Sequence, residues 1–191
     1  MKTSIYISLK IFLVMTILTG IIYPLIITLI GQTVFSFRSN GSLIKVNNNI
    51  AGSELIGQKF TSGKYFHSRP SAINYNPLPS GGSNLSVTSN TLKENVKHQV
   101  FLFDSINQLD KNIVIPSEML YASGSGLDPH ISVQAANLQI DRICKARNFS
   151  EVHKNKLKNL IVNLSENRQL GFLGEKRINV LKLNIEMDKI R

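Results

Sequence analysis

The stretch Tyr121-Ala-Ser-Gly-Ser-Gly-Leu-Asp-Pro-His-Ile-Ser132 holds the most unusual set of small, flexible and ionisable residues in the chain. Ser123, Gly124, Ser125 and Gly126 fall where a strand is expected to end and a helix to begin. Backbone N–H groups in such a loop can form an anion nest. The same composition suits a tight strand-to-helix connection with Asp128-Pro129 as its turn, and chemistry alone favours the connection. Ser125, Asp128 and His130 are the residue types of a catalytic triad. Triad members normally come from separate elements, so three within six residues do not converge easily. His67, Asp128 and His130 are metal-ligand types, yet nothing in their spacing fixes a geometry, and no metal site is expected. A P-loop is absent: Gly57 to Gly63-Lys64 is one residue too long and continues with Tyr65 where a Ser or Thr is needed. Ser80-Gly81-Gly82 reads as a turn. Arg69, before Pro70, can pair with a carboxylate or phosphate. The single cysteine, Cys144, excludes an internal disulfide and every multi-cysteine metal centre.

These residues must be held by the rest of a 191-residue, 21.3 kDa chain, a length that suggests one domain with an appendage. Hydrophobic residues make up 42% and mean hydropathy is +0.01, which excludes a disordered or collagen-like chain. Net charge is 22 − 12 = +10, a balance that suits nucleic acid or anionic lipid. The apolar residues are unevenly spread, however, and no charge occurs between Lys10 and Arg38. The twenty residues Ile11–Ile30, thirteen of them Leu, Ile, Phe or Val, reach about 30 Å as a helix. They favour insertion by about 4–8 kcal/mol before polar penalties. The run is longer than a signal-peptide core, and Phe35-Ser36-Phe37-Arg38 is no small-residue cleavage site. Residues 11–34 are therefore expected to be an uncleaved transmembrane anchor behind a short cytoplasmic head, residues 1–10. Anchorage argues against a nucleic-acid partner despite the charge. Pro24 removes one helical hydrogen bond and crowds the carbonyl of Gly20, so a kink is expected there. Gly20 and Gly31 would let another membrane helix approach closely. Lys2 and Lys10 nearly balance Arg38 and Lys45, but a short basic head before a first span usually stays inside, which places the bulk of the chain outside.

Residues 38–191 are enough for one core. Arg38–Asn49 reads as a polar connector. Glu54–Phe60, Lys64–Phe66 and Met119–Ala122 are strand candidates, and Ile178–Ile185 alternates like a half-buried strand. Ser68–Asn90 is a long loop rich in Pro, Gly, Ser and Asn. Thr91-Leu-Lys-Glu94 is a capping box for a helix carrying Leu92, Val96, Val100, Phe103 and Ile106. Ser132 caps a second helix through Arg147, with Val133, Ala136, Ile140 and Ile143 inward. Ser150 caps a third, with Leu157, Leu160, Ile161 and Leu164 inward, in a region ended by Gly171 or Gly174. The Lys154, Lys156, Lys158 run reads as a solvated helix face. The expected class is α+β: one N-terminal transmembrane helix, then a single extracytoplasmic domain of helices packed on a small sheet.

Six blocks in order give the chain a resemblance. They are Gly20-Ile-Ile-Tyr-Pro24, Gly52-Ser-Glu-Leu-Ile-Gly-Gln58, Tyr65-Phe-His-Ser-Arg-Pro-Ser-Ala72, Ser80-Gly-Gly-Ser-Asn-Leu85, Ala122 through Ser132, and Gly174-Glu-Lys-Arg-Ile-Asn-Val-Leu181. Together they resemble the C subunit of the Kdp potassium-transporting ATPase. Ser86-Val87, Val133 and Lys176 depart from that family's pattern by dropping a Gly-Pro or a proline. The resemblance implies a single-pass accessory subunit of a potassium pump in the bacterial inner membrane. It implies three protein partners: a channel-like potassium-binding subunit, a P-type ATPase subunit and a small fourth subunit, with membrane lipid around the anchor. It also implies a catalytic-chaperone role that raises the ATPase subunit's nucleotide affinity. Gln139 is the position tied to that role, with ATP a ligand in the complex with the ATPase subunit and no covalent cofactor. The residues themselves agree on one point, for the chain has neither a phosphorylation loop nor a selectivity filter. Ser123, Gly124, Ser125, Gly126, Asp128, His130 and Gln139 are accordingly the candidate nucleotide or partner contacts, with no catalytic residue assigned. A membrane-tethered binding module, or a hydrolase using Ser125, Asp128 and His130, is the alternative.

Overall fold

A computed structural model describes residues 2–110 and 112–190; Met1, Lys111 and Arg191, which belong to the expected head and outer domain, lie outside the described residues. The chain divides into two compact units, Met1–Leu43 and Ile44–Arg191.

The first unit is built on apolar helix. α1 spans Lys2–Ile17, a π-helical segment spans Leu18–Ile22, and α2 spans Tyr23–Val34. Thr3–Val34 is a 32-residue stretch, with mean hydropathy 2.4 over its most apolar 18 residues and its apolar side chains exposed, long and apolar enough to cross a membrane. Where a kink is expected at Pro24, the helix carries that π segment, ending two residues before the proline, a usual way for a helix to absorb a local misfit. A short α3, Ser36–Ser39, ends the unit. Ser39 Oγ donates to Gly31 O at 3.1 Å, and Asn40 Nδ2 donates to Gln32 Oε1 at 3.1 Å. Gly31 is thus covered by its own chain, whereas the space outside Gly20 is open.

The connector expected over 38–49 folds further than its polarity suggested. β1, Leu43–Val46, pairs with β2, Asn49–Ser53. The two residues between them, Asn47 and Asn48, have φ of 50° and 64°, the left-handed pair that a two-residue hairpin turn requires and Asn tolerates. Beyond it come α4 (Asn90–Asn107), a 3-10 turn (Ser117–Met119), β3 (His130–Ile131), α5 (Val133–Arg147), α6 (Glu151–Leu164), β4 (Ile178–Asn179) and α7 (Val180–Met187). β3 and β4 are antiparallel, with His130 opposite Asn179 and Ile131 opposite Ile178. The α+β expectation therefore holds with two very small sheets and a core made mostly by helices.

α5 and α6 form as their spacing predicts. Ser132 Oγ accepts from Ala135 N–H at 3.0 Å, and Ser150 caps α6 with His153 completing a capping box. Ala135, Ala136, Ile140 and Ile143 of α5 meet Leu157 and Ile161 of α6, and the core continues through Ile131, Ile178, Val180, Leu183 and Met187. α6 ends at Leu164, ahead of both glycines expected to end it. α4 starts earlier than expected: Ser89 accepts from Leu92 N–H at 3.4 Å, ahead of Thr91. Of its apolar stripe only Phe103 is buried.

Four strand expectations are corrected. Residues 54–60 and 64–66 are not strands, and Met119–Ala122 is the end of the 3-10 turn followed by irregular chain. Ile178–Ile185 is a strand for two residues only and then α7, because Asn179 Oδ1 accepts from Lys182 N–H at 3.1 Å and caps a helix. Ser68–Ser89 is irregular, as expected.

Candidate functional site

The irregular segment 63–67, which opens in a turn closed by Tyr65 N–H on Ser62 O at 3.1 Å, shows how the Ile44–Arg191 unit is locked. It lacks a neighbouring strand, yet every carbonyl from Gly63 to His67 is taken by a helix side chain. Arg142 donates to Gly63 O at 2.6 Å and Tyr65 O at 3.0 Å, and Arg147 donates to Lys64 O at 2.7 Å. Asn184 pairs with both backbone groups of Phe66, accepting from N–H at 2.8 Å and donating to O at 3.0 Å. Gln139 does the same for His67, at 2.8 Å and 3.3 Å. Two side-chain amides thus stand in for the missing ladder and satisfy backbone groups whose burial unpaired would be costly. Gln139 Oε1 also accepts from Arg142 Nη2 at 2.9 Å, and Arg142 Nε donates to Asn107 Oδ1 at 2.9 Å. Burial lowers the Arg142 pKa to about 10, leaving it charged near neutrality. Burial, then the Arg142 charge, hold His67 below the ordinary histidine value.

Beside this lock, segments 52–58, 69–82 and 123–130 meet at one loop hub. Gly57 N–H donates to Leu127 O at 2.7 Å, Gly81 N–H to Ser125 O at 3.1 Å, and Val180 N–H to Pro129 O at 2.9 Å. The glycines are there because backbone lies against backbone. A Cβ on Gly57 would stand 2.7 Å from Asp128 O, and one on Gly82 3.1 Å from Gly124 O. Tyr75 Oη donates to Arg69 O, and burial pushes its pKa up to about 12.

At the centre, Arg69 Nη1 lies 2.7 Å from Asp128 Oδ2, while Asp128 Oδ1 accepts from His130 N–H at 3.0 Å and lies 3.3 Å from His130 Nδ1. Arg69 Nε is buried without a partner. Burial alone would raise the Asp128 pKa, but the His130 ring, the His130 N–H and the Arg69 guanidinium outweigh it and bring it down to about 2. A carboxylate with a depressed folded-state pKa stabilises above its unfolded value, and that gain is lost as pH falls through the folded value. Replacing Asp128 by Asn is therefore expected to cost about 2 kcal/mol near neutrality, with the gap to wild type closing between about pH 4 and pH 2. Urea midpoints measured across that range check it; a gap independent of pH would contradict it.

The candidates fall in two places. Ser123, Gly124, Ser125, Gly126, Asp128 and His130 share the hub, whereas Gln139 is fully buried in the lock with its amide paired. Ser125 Oγ accepts from Leu127 N–H at 3.1 Å, and no bond joins Ser125 to His130 among the described residues, so the structure does not assemble a triad. Among the described residues no group of three His, Cys, Asp or Glu side chains is placed to hold a metal ion. A cavity of about 400 Å³ opens beside Arg69, Asp128 and His130. Its wall sets Arg69, Lys176 and Arg177 against Glu118, Asp128, Glu166 and Glu175, so it lacks the excess of positive charge that a triphosphate would require. Sequence reading missed Arg142 and Asn184. Their signal was polar residues on otherwise apolar helix faces.

The chain thus joins one helix long and apolar enough to cross a membrane to a helical α+β unit in which, among the described residues, Ser125, Asp128 and His130 form no triad. The family model described as KdpC, K+-transporting ATPase c chain, matches residues 5–189. The chain is 43% identical over 185 residues to the potassium-transporting ATPase KdpC subunit of Leptospira interrogans, covering 96% of this chain and 93% of that protein. It is 41% identical over 192 residues to that of Mycobacterium bovis, covering 100% of each, and 41% identical over 180 residues to that of Caldanaerobacter subterraneus, covering 94% and 92%. The chain belongs to the KdpC family, and it is an accessory subunit of the potassium-transporting ATPase complex.

Proposed function

We propose that this subunit is a non-catalytic, single-span protein of the bacterial inner membrane that supports assembly of the pump from outside. Its amino terminus lies in the cytoplasm and its α+β domain is extracytoplasmic. Its partners are the channel-like potassium-binding subunit, the P-type ATPase subunit and the small fourth subunit. The observation that supports this reading is the mutual commitment of the hub: Arg69, Asp128 and His130 hold one another, and Gly57 and Gly82 hold backbone to backbone. Such a loop builds a rigid surface for a partner rather than a reaction centre. An effect on nucleotide affinity is then transmitted by docking on the ATPase subunit, because Gln139 has its amide spent on His67 and Arg142. ATP is a ligand of the complex in this account.

Topology tests the reading. Asn155 and Lys45 are exposed, while Cys144 is 8% exposed and burial raises its thiol pKa, so the native cysteine gives little background. A membrane-impermeant thiol reagent is expected to label Asn155→Cys and Lys45→Cys in intact spheroplasts and to leave the wild-type chain unlabelled. Labelling only after lysis would place the domain with cytoplasmic ATP and overturn the proposal.

A further inference from the structure

We propose that the middle of the apolar helix docks a second membrane helix carrying a hydrogen-bond donor, a hydroxyl or amide side chain, at the same depth. The inference rests on the single-span subunit reading above.

The argument is a count of backbone donors. Tyr23 N–H closes on Leu18 O, five residues back, as the π segment dictates. Ile22 is the N-cap of α2, so its carbonyl accepts the first bond of that helix, from Ile26. Three carbonyls remain between, those of Thr19, Gly20 and Ile21. The residues able to serve them are Pro24, which has no N–H, and Leu25, which has one. Two of the three carbonyls are therefore left without a donor from the helix. The Thr19 hydroxyl does not help, since Oγ1 donates to Met15 O at 2.7 Å.

The position makes this consequential. Gly20 lies ten residues after Lys10, about 15 Å along the axis and so near the midplane of a roughly 30 Å hydrocarbon layer. Lipid tails supply no donor, and an unpaired carbonyl there is costly. The surface is also open. Apart from the helix's own backbone, nothing lies within 4 Å of where a Cβ on Gly20 would be, and the 62% exposed Tyr23 has no hydrogen bond from its phenol among the described residues. At Gly31, by contrast, Ser39 already fills the space and takes the carbonyl. Acceptors, an open approach and an unpaired phenol thus coincide at one depth, and they fit a neighbouring helix with a polar side chain.

The test uses the full chain expressed with the other subunits. Thr28, four residues after Pro24, shares its face, and Ile26 lies on the opposite one. A photo-reactive side chain at 28 is expected to crosslink to a protein subunit, and one at 26 to lipid. Pro24→Ala, which restores a donor, is expected to lower retention of the partner subunits after detergent washing about three- to tenfold, with Tyr23→Phe giving a smaller loss. Crosslinking from 26 and not from 28, or unchanged retention in Pro24→Ala while the complex still co-purifies, would overturn this inference alone. Failure of the wild-type chain to co-purify would overturn the subunit reading and this inference with it.

Discussion

Replacing Gln139 by leucine is expected to destabilise the α+β domain by about 3–5 kcal/mol. Leucine nearly fills the same volume, so little of the cost is a cavity. It comes from the groups left behind. His67 N–H and His67 O lose the partners at 2.8 Å and 3.3 Å, and Arg142 loses one acceptor in a buried setting. Each buried backbone group left unpaired costs about 1–3 kcal/mol, more where a charge is involved. Urea unfolding of the full chain in detergent, followed by circular dichroism because the chain has no tryptophan, measures the loss. A midpoint within error of wild type would show that the amide is not a structural clamp and would reopen it to a ligand.

Gly126→Ala is expected to cost about 2–5 kcal/mol for a different reason. Gly126 has φ of +70°, where an L residue is strained by roughly 1–2 kcal/mol. The added Cβ would also stand 2.6 Å from Ile73 Cγ1 and 2.9 Å from Gly81 O. Side chain and backbone would both have to move, an overpacking cost of about 1–3 kcal/mol. Gly124→Ala in the same loop meets open space and serves as the control. Equal midpoints for the two variants would contradict the close packing of the hub.

The parts of this architecture that local chemistry writes were legible beforehand. The apolar run of 11–34 reads as one long helix, and Ser132 and Ser150 announce α5 and α6 because caps and helical spacing are local signals. α7 was not, since Leu181, Leu183 and Ile185 alternate with polar residues as a strand would, while Val180, Leu183, Asn184 and Met187 satisfy helical spacing equally well. Burial decides between the two, and burial is set by distant residues. The same holds for 64–66. The segment begins in a turn, and its carbonyls are taken by Arg142, Arg147 and Asn184, which no pattern within the segment foretells. The loop 122–132 stood out by its composition. Its role did not, because the approach of Gly57, Gly81 and Gly82 to residues 124–128 joins chain segments about forty to seventy positions apart. Gly126, which looks like part of an anion nest from within its loop, is explained by its positive φ and by Ile73 and the Gly81 carbonyl pressed against it.

The account places turnover elsewhere in the pump and docking in this chain. The most direct test is ATP hydrolysis and ATP binding measured on three purified samples: this subunit alone, the complex containing it, and the complex lacking it. The account predicts no hydrolysis and no calorimetric ATP binding by the subunit alone, and loss of potassium-stimulated hydrolysis when the complex lacks it. Saturable ATP binding or any turnover by the isolated subunit, abolished by Ser125→Ala or Gln139→Leu, would contradict it.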